Sequence, residues 1–301
     1  MVHNPVLKKL GLANTDRVVI FHADDIGMSQ ASLSAYIDLI DFGLLSSAAV
    51  MVPCPWFPAA AAFCRDNQSN PKLDVGVHLT LTSEWRSCRW GPISTHDQAS
   101  GLIDETGYFH ARSVDVRTQA NIGAVYQELQ AQLKRALAAG LDITHLDSHM
   151  FTLFSPKLVP VYFELAFESQ IPAFLFRYNQ DRLQQMGYDQ EAAGALARLI
   201  RAGEALGLPL LDDYYQMSLD YHEDRFEEAK QALDNLAAGI TYFLIHPARD
   251  SPELRAMAPD WRSRVADYEL FAREAFRDYL KDLGIQVINY RALRDLMRKG
   301  K

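Results

Sequence analysis

Apolar runs of strand length alternate along the chain with segments whose apolar residues recur at helical spacing. The strand-like runs cover residues 17–21, 48–52, 74–81, 143–147, 173–176, 208–211, 241–245 and 286–289. The helical segments cover residues 29–42, 57–67, 114–139, 155–167, 226–236 and 262–283. Strands that alternate with helices pair in parallel through crossovers. The pattern predicts one α/β domain over residues 1–301, an irregular parallel (β/α) barrel, with a doubly wound open sheet as the alternative.

Two segments, at residues 82–113 and 179–206, interrupt this alternation. The first is rich in Trp, Gly and polar residues, and the second has the pattern of one or two inserted helices. Long insertions after strands of α/β folds lie at the C-terminal face, where functional sites are built. We therefore expect inserted loops and helices to border a site at that face.

Alternation along the strands predicts a polar interior. His78 lies on the face of its strand opposite to the valines and leucines of that run. His145, Asp147 and His149 share one face of the strand at 143–147 and its continuation. Three ionisable groups on one side of a buried strand are costly unless each has a partner.

Two adjacent carboxylates, Asp24 and Asp25, end the first strand-like run. Neighbouring carboxylates repel and cannot both stay ionised cheaply in an apolar site. A divalent cation removes that cost when one carboxylate binds it and the other lies beside it. Strict alternation would point the two side chains to opposite faces. However, we expect the strand geometry to break at Ile26-Gly27, which lets both turn toward one site.

Aspartate and histidine ligands with a water suit a hydrolytic metal ion. Zn²⁺ is favoured, and Mg²⁺, which prefers oxygen ligands, is the alternative. Such an ion makes hydroxide available near neutral pH. A free carboxylate beside it can take a proton, and a histidine opposite can donate one.

Composition excludes several function classes. The 301 residues are 49% apolar and carry a net charge of −8, from 38 acidic and 30 basic side chains. The acidic balance argues against a nucleic-acid partner. Because no apolar segment approaches the length of a membrane span or of a signal peptide, we expect no membrane span. Cys54, Cys64 and Cys88 form neither a disulfide framework nor a zinc finger, which favours reduced thiols and a cytoplasmic location.

Four short motifs stand at predicted strand ends. They are HADDIGMS at residues 22–29, GVHLTL at 76–81, THLDSH at 144–149 and HPA at 246–248. Their order and spacing resemble those of the YdjC-like carbohydrate deacetylases, the family that includes chitooligosaccharide deacetylase. The resemblance spans nearly the whole chain.

This resemblance implies an irregular parallel (β/α) barrel that holds one divalent metal ion. Carried over position by position, it implies that Asp25, His78 and His149 are the metal ligands. Asp24 would be the general base that activates water, and His246 the general acid that protonates the departing amine. The implied reaction is hydrolysis of the N-acetyl group of an amino sugar or glycoconjugate, a small molecule or oligosaccharide, and a homodimer is plausible.

The chain departs from the family pattern beside the implied ligands. His22 and Ile26 replace the usual Asn and Phe, and Met150 follows His149 where many members continue with a histidine-rich run. These differences leave the implied ligand set intact. They leave the identity of the sugar, its chain length and any lipid attachment open.

Four side chains are candidates for substrate binding. Trp85 and Trp90 could stack on sugar rings, with ordinary packing of a long loop as the alternative. Arg177 could contact a substrate oxygen. His22 could be a substrate contact or an extra ligand, although a structural role is favoured.

Two other functions stay open at this point. One is a metal-dependent hydrolase that acts on a different amide or ester. The other is a non-catalytic carbohydrate-binding or metal-binding protein that keeps the fold. The second predicts that a catalytic base or acid is missing, whereas Asp24 and His246 are both present.

Overall fold

A computed structural model describes residues 3–299 as a parallel sheet surrounded by helices. Its strands are β1 Arg17–Ile26, β2 Ser47–Val50, β3 Val75–Leu79, β4 Ile143–Ser148, β5 Asp213–Gln216, β6 Gly239–Ile245 and β7 Gln286–Val287. Its helices are α1 Pro5–Lys9, α2 Gln30–Phe42, α3 Phe57–Asp66, α4 Ser113–Gln119, α5 Ile122–Ala138, α6 Val159–Ser169, α7 Gln180–Gln185, α8 Gln190–Ala205, α9 Arg225–Asp234, α10 Pro252–Met257, α11 Trp261–Phe271, α12 Glu274–Asp282 and α13 Tyr290–Lys299.

The sheet has the order β4-β3-β2-β1-β6-β5, and the short β7 pairs with β1. Every strand pair is parallel, as expected for strands joined by helical crossovers. Isolated parallel bridges join Leu146 to Ala173 and Phe176 to Leu211, so the segment at 173–176 lies between β4 and the approach to β5. The predicted α/β architecture, barrel-like and irregular, is confirmed.

Several predicted elements differ from the observed ones. Residues 173–176 and 208–211 contribute only isolated bridges, so their prediction as strands is wrong. The strand in this region is β5. Its sequence, DYYQ, contains no apolar run, and its residues are exposed or only half-buried. The helix predicted at 114–139 is divided into α4 and α5. The side chain of Asn121 accepts hydrogen bonds from the backbone amides of Gly123 and Ala124, and this N-cap starts a new helix.

Further bounds also shift. The helix predicted at 155–167 begins only at Val159, and the one predicted at 262–283 is divided into α11 and α12. The insertion at 82–113 is mostly loop, whereas the one at 179–206 forms α7 and α8. Within residues 3–299, no helix combines the length and the apolar character needed to cross a bilayer.

The two faces of β1 meet different surroundings. Phe21 packs outward, with ring centroids 5.5 Å from Phe243 and 5.6 Å from Phe271 of α11. His22 points inward, where its ring stacks on Tyr242 at 4.5 Å and meets the edge of His145 at 4.9 Å. The sheet therefore separates an apolar layer under the helices from a polar, fully buried interior.

Gly76 makes room for this interior. A Cβ atom at residue 76 would lie 2.4 Å from Nε2 of His145, whose ring is held by stacking on Tyr290 at 4.1 Å. Both rings are fully buried, so neither can move aside into solvent. The small residue on the inner face of β3 is therefore required by the imidazole of β4.

We expect Gly76→Ala to lower the free energy of unfolding by about 2–3 kcal/mol, because overpacking a rigid core forces side chains off their rotamers. The matched control is Gly194→Ala in α8, where a Cβ would meet only flexible side-chain ends at 3.5 Å. That change should raise stability by up to about 1 kcal/mol through helix propensity. Urea denaturation of both variants measures the difference, and equal stabilities would contradict the assignment of Gly76.

Candidate active site

The carboxyl end of β1 brings two adjacent aspartates to the same site. Asp25 has a φ of +62°, in the left-handed region that non-glycine residues seldom adopt. The pairing of β1 with β2 shifts register between Ala23 and Ile26. The strand geometry therefore breaks at Asp25 itself, one residue earlier than predicted, and both Asp24 and Asp25 line the same cavity. Backbone strain of this kind clusters at functional sites.

Three side chains from three strand ends converge next to that break. Oδ1 of Asp25 lies 3.4 Å from Nε2 of His78 and 3.2 Å from Nδ1 of His149. The two imidazole nitrogens lie 3.1 Å apart. The structure thus brings together all three residues of the predicted metal-binding set, and all three are buried.

Each member of this set is oriented by a second partner. Nδ1 of His78 lies 2.6 Å from Oδ1 of Asp147, which leaves Nε2 of His78 to face Asp25. Nε2 of His149 lies 3.0 Å from Glu84, which leaves Nδ1 to face Asp25. Metal-binding imidazoles are commonly fixed by such a carboxylate on the other ring nitrogen. The orientation therefore directs three donor atoms toward one point.

Arg264 of α11 orients the third member. Its Nη1 donates to Oδ2 of Asp25 at 2.7 Å, and its Nε donates to Asp260 at 2.9 Å. The guanidinium also lies over the ring of Trp85, 5.2 Å from its centroid. Asp25 therefore keeps Oδ1 for the other two members, while Arg264 neutralises its remaining oxygen.

Sequence reasoning missed Glu84 and Arg264. Glu84 lies in the loop after β3 and Arg264 lies 239 residues from Asp25 along the chain. Neither residue belongs to a motif, and no strand alternation reaches either of them. The only signal was that Glu84 follows His78 closely in the first inserted segment.

The charges around the set act strongly on its pKa values. Burial alone would raise the pKa of Asp25, but Arg264 and the two histidines outweigh it and hold that pKa well below the usual range. Burial would lower the pKa of His149, yet Glu84 and Asp25 raise it to about 9. Asp25 is therefore ionised at neutral pH, and a metal ion that binds His149 must displace a proton.

Asp24 lies beside the set without belonging to it. Its Oδ1 lies 3.0 Å from Nε2 of His22 and 3.6 Å from Nδ1 of His78. Burial, together with the nearby carboxylate of Asp147, raises the pKa of Asp24 despite the opposing effect of His78. A carboxylate with a raised pKa is a better proton acceptor.

His246 faces Asp24 from the end of β6. Its Nε2 lies 4.0 Å from Oδ2 of Asp24, and its backbone amide donates to Asp267 at 2.9 Å. Burial lowers the pKa of His246 to about 3, with a further lowering by Arg264 against the opposing effect of Asp25. The imidazole is therefore neutral until charge in the site changes.

These residues open into a cavity of about 870 Å³. Acidic groups dominate its wall: Asp24, Asp25, Glu84, Asp147, Asp213, Asp220 and Asp260. Arg182 and Arg264 are the arginines among its lining residues, and Arg264 is engaged by Asp25 and Asp260. The cavity is large enough for a sugar, and carboxylates outnumber cationic side chains along its wall.

Of the four predicted substrate-binding residues, only Trp85 is among those that line the cavity. Trp85 lines the cavity, although it is only 6% exposed. Trp90 is buried behind it, with its indole nitrogen donating to the carbonyl of Thr82 at 2.7 Å. His22 has no exposed surface, and Arg177 pairs with Glu204 and Asp212. The last three do not line the cavity, so their positions argue against direct contact with substrate.

Two other side-chain groups within residues 3–299 have metal-compatible spacing. They are His22 with His145 and Asp147, and Asp24 with His78 and Asp147. Both share Asp147, whose oxygens are engaged by His78 at 2.6 Å, Tyr242 at 3.1 Å and His22 at 3.2 Å. In the set of Asp25, His78 and His149, a protein partner already holds the second nitrogen of each imidazole and the second carboxylate oxygen of Asp25. The remaining donor atom of each residue is therefore left to face the other two.

Comparisons with known proteins find relatives that match nearly the whole chain. A carbohydrate deacetylase of Thermus thermophilus is 30% identical over 295 residues, which cover 97% of this chain and 99% of that protein. A carbohydrate deacetylase of Thermoanaerobacter pseudethanolicus is 23% identical over 278 residues, which cover 92% of this chain and 100% of that protein.

A solved structure from Enterococcus faecalis V583, described as a candidate cellobiose-phosphate cleavage protein, shares the fold. Its TM-score is 0.73 at 22% identity, over 92% of this chain and 99% of that one. The family model described as YdjC-like protein matches residues 18–282, which include every strand end that supplies the site. This chain belongs to the YdjC-like protein family.

Proposed function

We propose that this protein is a metal-dependent hydrolase that removes the N-acetyl group of an amino sugar or glycoconjugate. The observation that supports it best is the convergence of Asp25, His78 and His149 at 3.1–3.4 Å, with Asp24 beside them in an open cavity. The relatives named carbohydrate deacetylases, matched over nearly their full length, support the choice of substrate class. The cytoplasmic location and the homodimer stay predictions.

The donor set suits zinc better than magnesium. Two imidazole nitrogens and one carboxylate oxygen form a mixed set that zinc accepts, whereas magnesium prefers oxygen alone. The three donor atoms lie 3.1, 3.2 and 3.4 Å apart, close enough that one ion could be held by all of them.

In the proposed reaction, Asp24 takes a proton from the attacking water, whose oxygen bonds to the acetyl carbon. A divalent cation held by Asp25, His78 and His149 would supply a Lewis acid that acidifies water and polarises the acetyl oxygen. The carbon–nitrogen bond then breaks and releases acetic acid, which carries the second proton of the water and ionises to acetate.

The departing nitrogen needs a proton, and His246 is placed to donate it. Because free His246 is neutral, it must first gain that proton within the loaded site. Asp24 lies 4.0 Å away and holds the proton taken from water, so a small approach of the two side chains completes the transfer. The proton balance closes without a proton from solvent.

We expect Asp24→Asn to lower kcat for acetate release by about 10²–10⁴-fold, the usual contribution of a general base. Its metal content should stay near one ion per chain, because Asp24 is not in the ligand set. Acetate release from N-acetylglucosamine oligomers and elemental analysis measure the two properties. Asp278→Asn, an exposed aspartate of α12, is the matched control, and an unchanged kcat in Asp24→Asn would disprove the base.

We expect Glu84→Ala to weaken metal binding about 10–100-fold, because the carboxylate fixes the imidazole of His149. Glu84→Gln should recover part of that loss, since its amide oxygen can still accept from Nε2. Titration against a chromophoric chelator measures the affinity. Glu105→Ala, an exposed glutamate of the same insertion, should leave it unchanged, and equal affinities in all four proteins would refute the orienting role.

We expect chelator treatment to abolish activity and Zn²⁺ to restore it more fully than Mg²⁺. Zinc at about 100 times its dissociation constant should stabilise the fold by about 2.7 kcal/mol, visible as a rise in Tm. His149→Gln should lose that rise. An equal rise in the native and His149→Gln proteins would place the ion elsewhere.

A further inference from the structure

A second cavity adjoins the first. It has a volume of about 510 Å³, and Phe151 and Tyr214 line both cavities. Their ring centroids lie 5.4 Å apart, so the pair forms the partition between the two spaces. We call the second cavity the aromatic groove, lined by Phe151, Phe154, Phe176, Met186, Tyr188 and Tyr214.

The wall of the aromatic groove is apolar where the first cavity is acidic. Its rings contact one another, with Phe176 5.3 Å from Tyr214 and 6.1 Å from Phe154. Met186, from the loop between α7 and α8, is 42% exposed at its edge. Aromatic and thioether surfaces of this kind bind flat or flexible apolar groups.

The two charged side chains of the groove, Arg117 and Asp189, are already hydrogen-bonded to the backbone. Arg117 donates from Nε to the carbonyl of Thr152 at 3.1 Å and from Nη2 to that of Phe151 at 2.6 Å. The Asp189 carboxylate accepts the amide of Ala192 at 2.8 Å and starts α8. A sugar ring needs hydrogen-bond partners for its hydroxyls, and the phenylalanine rings and Met186 of this wall supply none.

The turn after His149 sets the position of the partition. Met150 and Phe151 have φ values of +53° and +49°, two consecutive non-glycine residues in the left-handed region. Met150 is 50% exposed and lines the first cavity. Strain of about 1–3 kcal/mol per residue persists only where surrounding structure enforces it, and here it presents two apolar side chains next to a metal-binding histidine.

Resting on the proposed deacetylase function, we propose that the substrate is an N-acetylated amino sugar with an apolar, uncharged aglycone that occupies the aromatic groove. The sugar lies in the acidic cavity, where carboxylates accept hydrogen bonds from its hydroxyls. The aglycone passes over the rings of Phe151 and Tyr214, which line both cavities. The negative cavity disfavours a phosphorylated sugar.

The test compares three uncharged substrates at concentrations below micelle formation: methyl and octyl N-acetyl-β-glucosaminide and N,N′-diacetylchitobiose. We expect KM for the octyl glycoside to be about 10–100-fold below that of the methyl glycoside, because each buried methylene contributes about a fourfold gain in affinity and we expect about two or three of the additional methylenes to be buried. The chitobiose should resemble the methyl glycoside. A chitobiose KM equal to or below that of the octyl glycoside would overturn the proposal.

Variants locate the effect. Met186→Asp should raise KM for the octyl glycoside about tenfold and change KM for the methyl glycoside less than twofold, and Met186→Ala should have a smaller effect in the same direction. Leu206→Asp, at a 74% exposed leucine outside the groove, is the matched control and should change neither. An equal rise for both glycosides in Met186→Asp would overturn the proposal.

Calorimetry separates this inference from the proposed reaction. If no substrate releases acetate, the deacetylase function fails. Asp24→Asn, which is expected to keep the metal site, should bind the octyl glycoside at least tenfold more tightly than the methyl glycoside. Equal binding of the two glycosides would refute the aromatic groove as an aglycone site even if acetate is released.

Discussion

Three buried carboxylates lie within one small region of the protein interior, and their charge is the constraint that the surrounding structure must satisfy. Asp24, Asp25 and Asp147 have almost no contact with solvent. An uncompensated buried carboxylate is far more costly than any single contact can offset. The compensation comes from Arg264 on Asp25 and from imidazoles on the other two. The site therefore exists in a charged form only because four distant segments of the chain reach it.

This constraint also explains the identity of the interior residues below the site. His22 stands between the carboxylates of Asp24 and Asp147, at 3.0 and 3.2 Å. Burial would lower its pKa, but those two neighbours outweigh burial and raise it. An imidazole here can carry a positive charge, which a neutral amide could not. Tyr242 covers one face of the ring by stacking at 4.5 Å.

Sequence periodicity could predict the parts of this site that strands carry. Alternation along β3 and β4 places His78 and His149 at carboxyl ends, and parallel pairing brings those ends together. It could not predict the left-handed turn at Asp25, because no glycine marks that position. Nor could it predict Glu84 or Arg264, which reach the site through a loop and a helix packed from far along the chain. The positions of Trp90 and Arg177 away from the cavity lining could not be predicted either, since composition does not tell which side of a segment turns inward.

In the proposed reaction, the two cavities would divide recognition from chemistry by polarity. An acidic wall can accept hydrogen bonds from hydroxyl and amine groups. A wall of aromatic rings suits an apolar group of a ligand, because such a group gives up no hydrogen bonds with water when it is buried. Phe151 belongs to both walls, and its backbone follows directly from His149 through Met150. A group held on Phe151 would therefore lie at a fixed distance from the donor atoms, because only Met150 intervenes and both Met150 and Phe151 have strained, left-handed backbone. Binding energy gained in the groove can in this way position an acetyl group for attack, which is how remote contacts raise the rate of a chemical step.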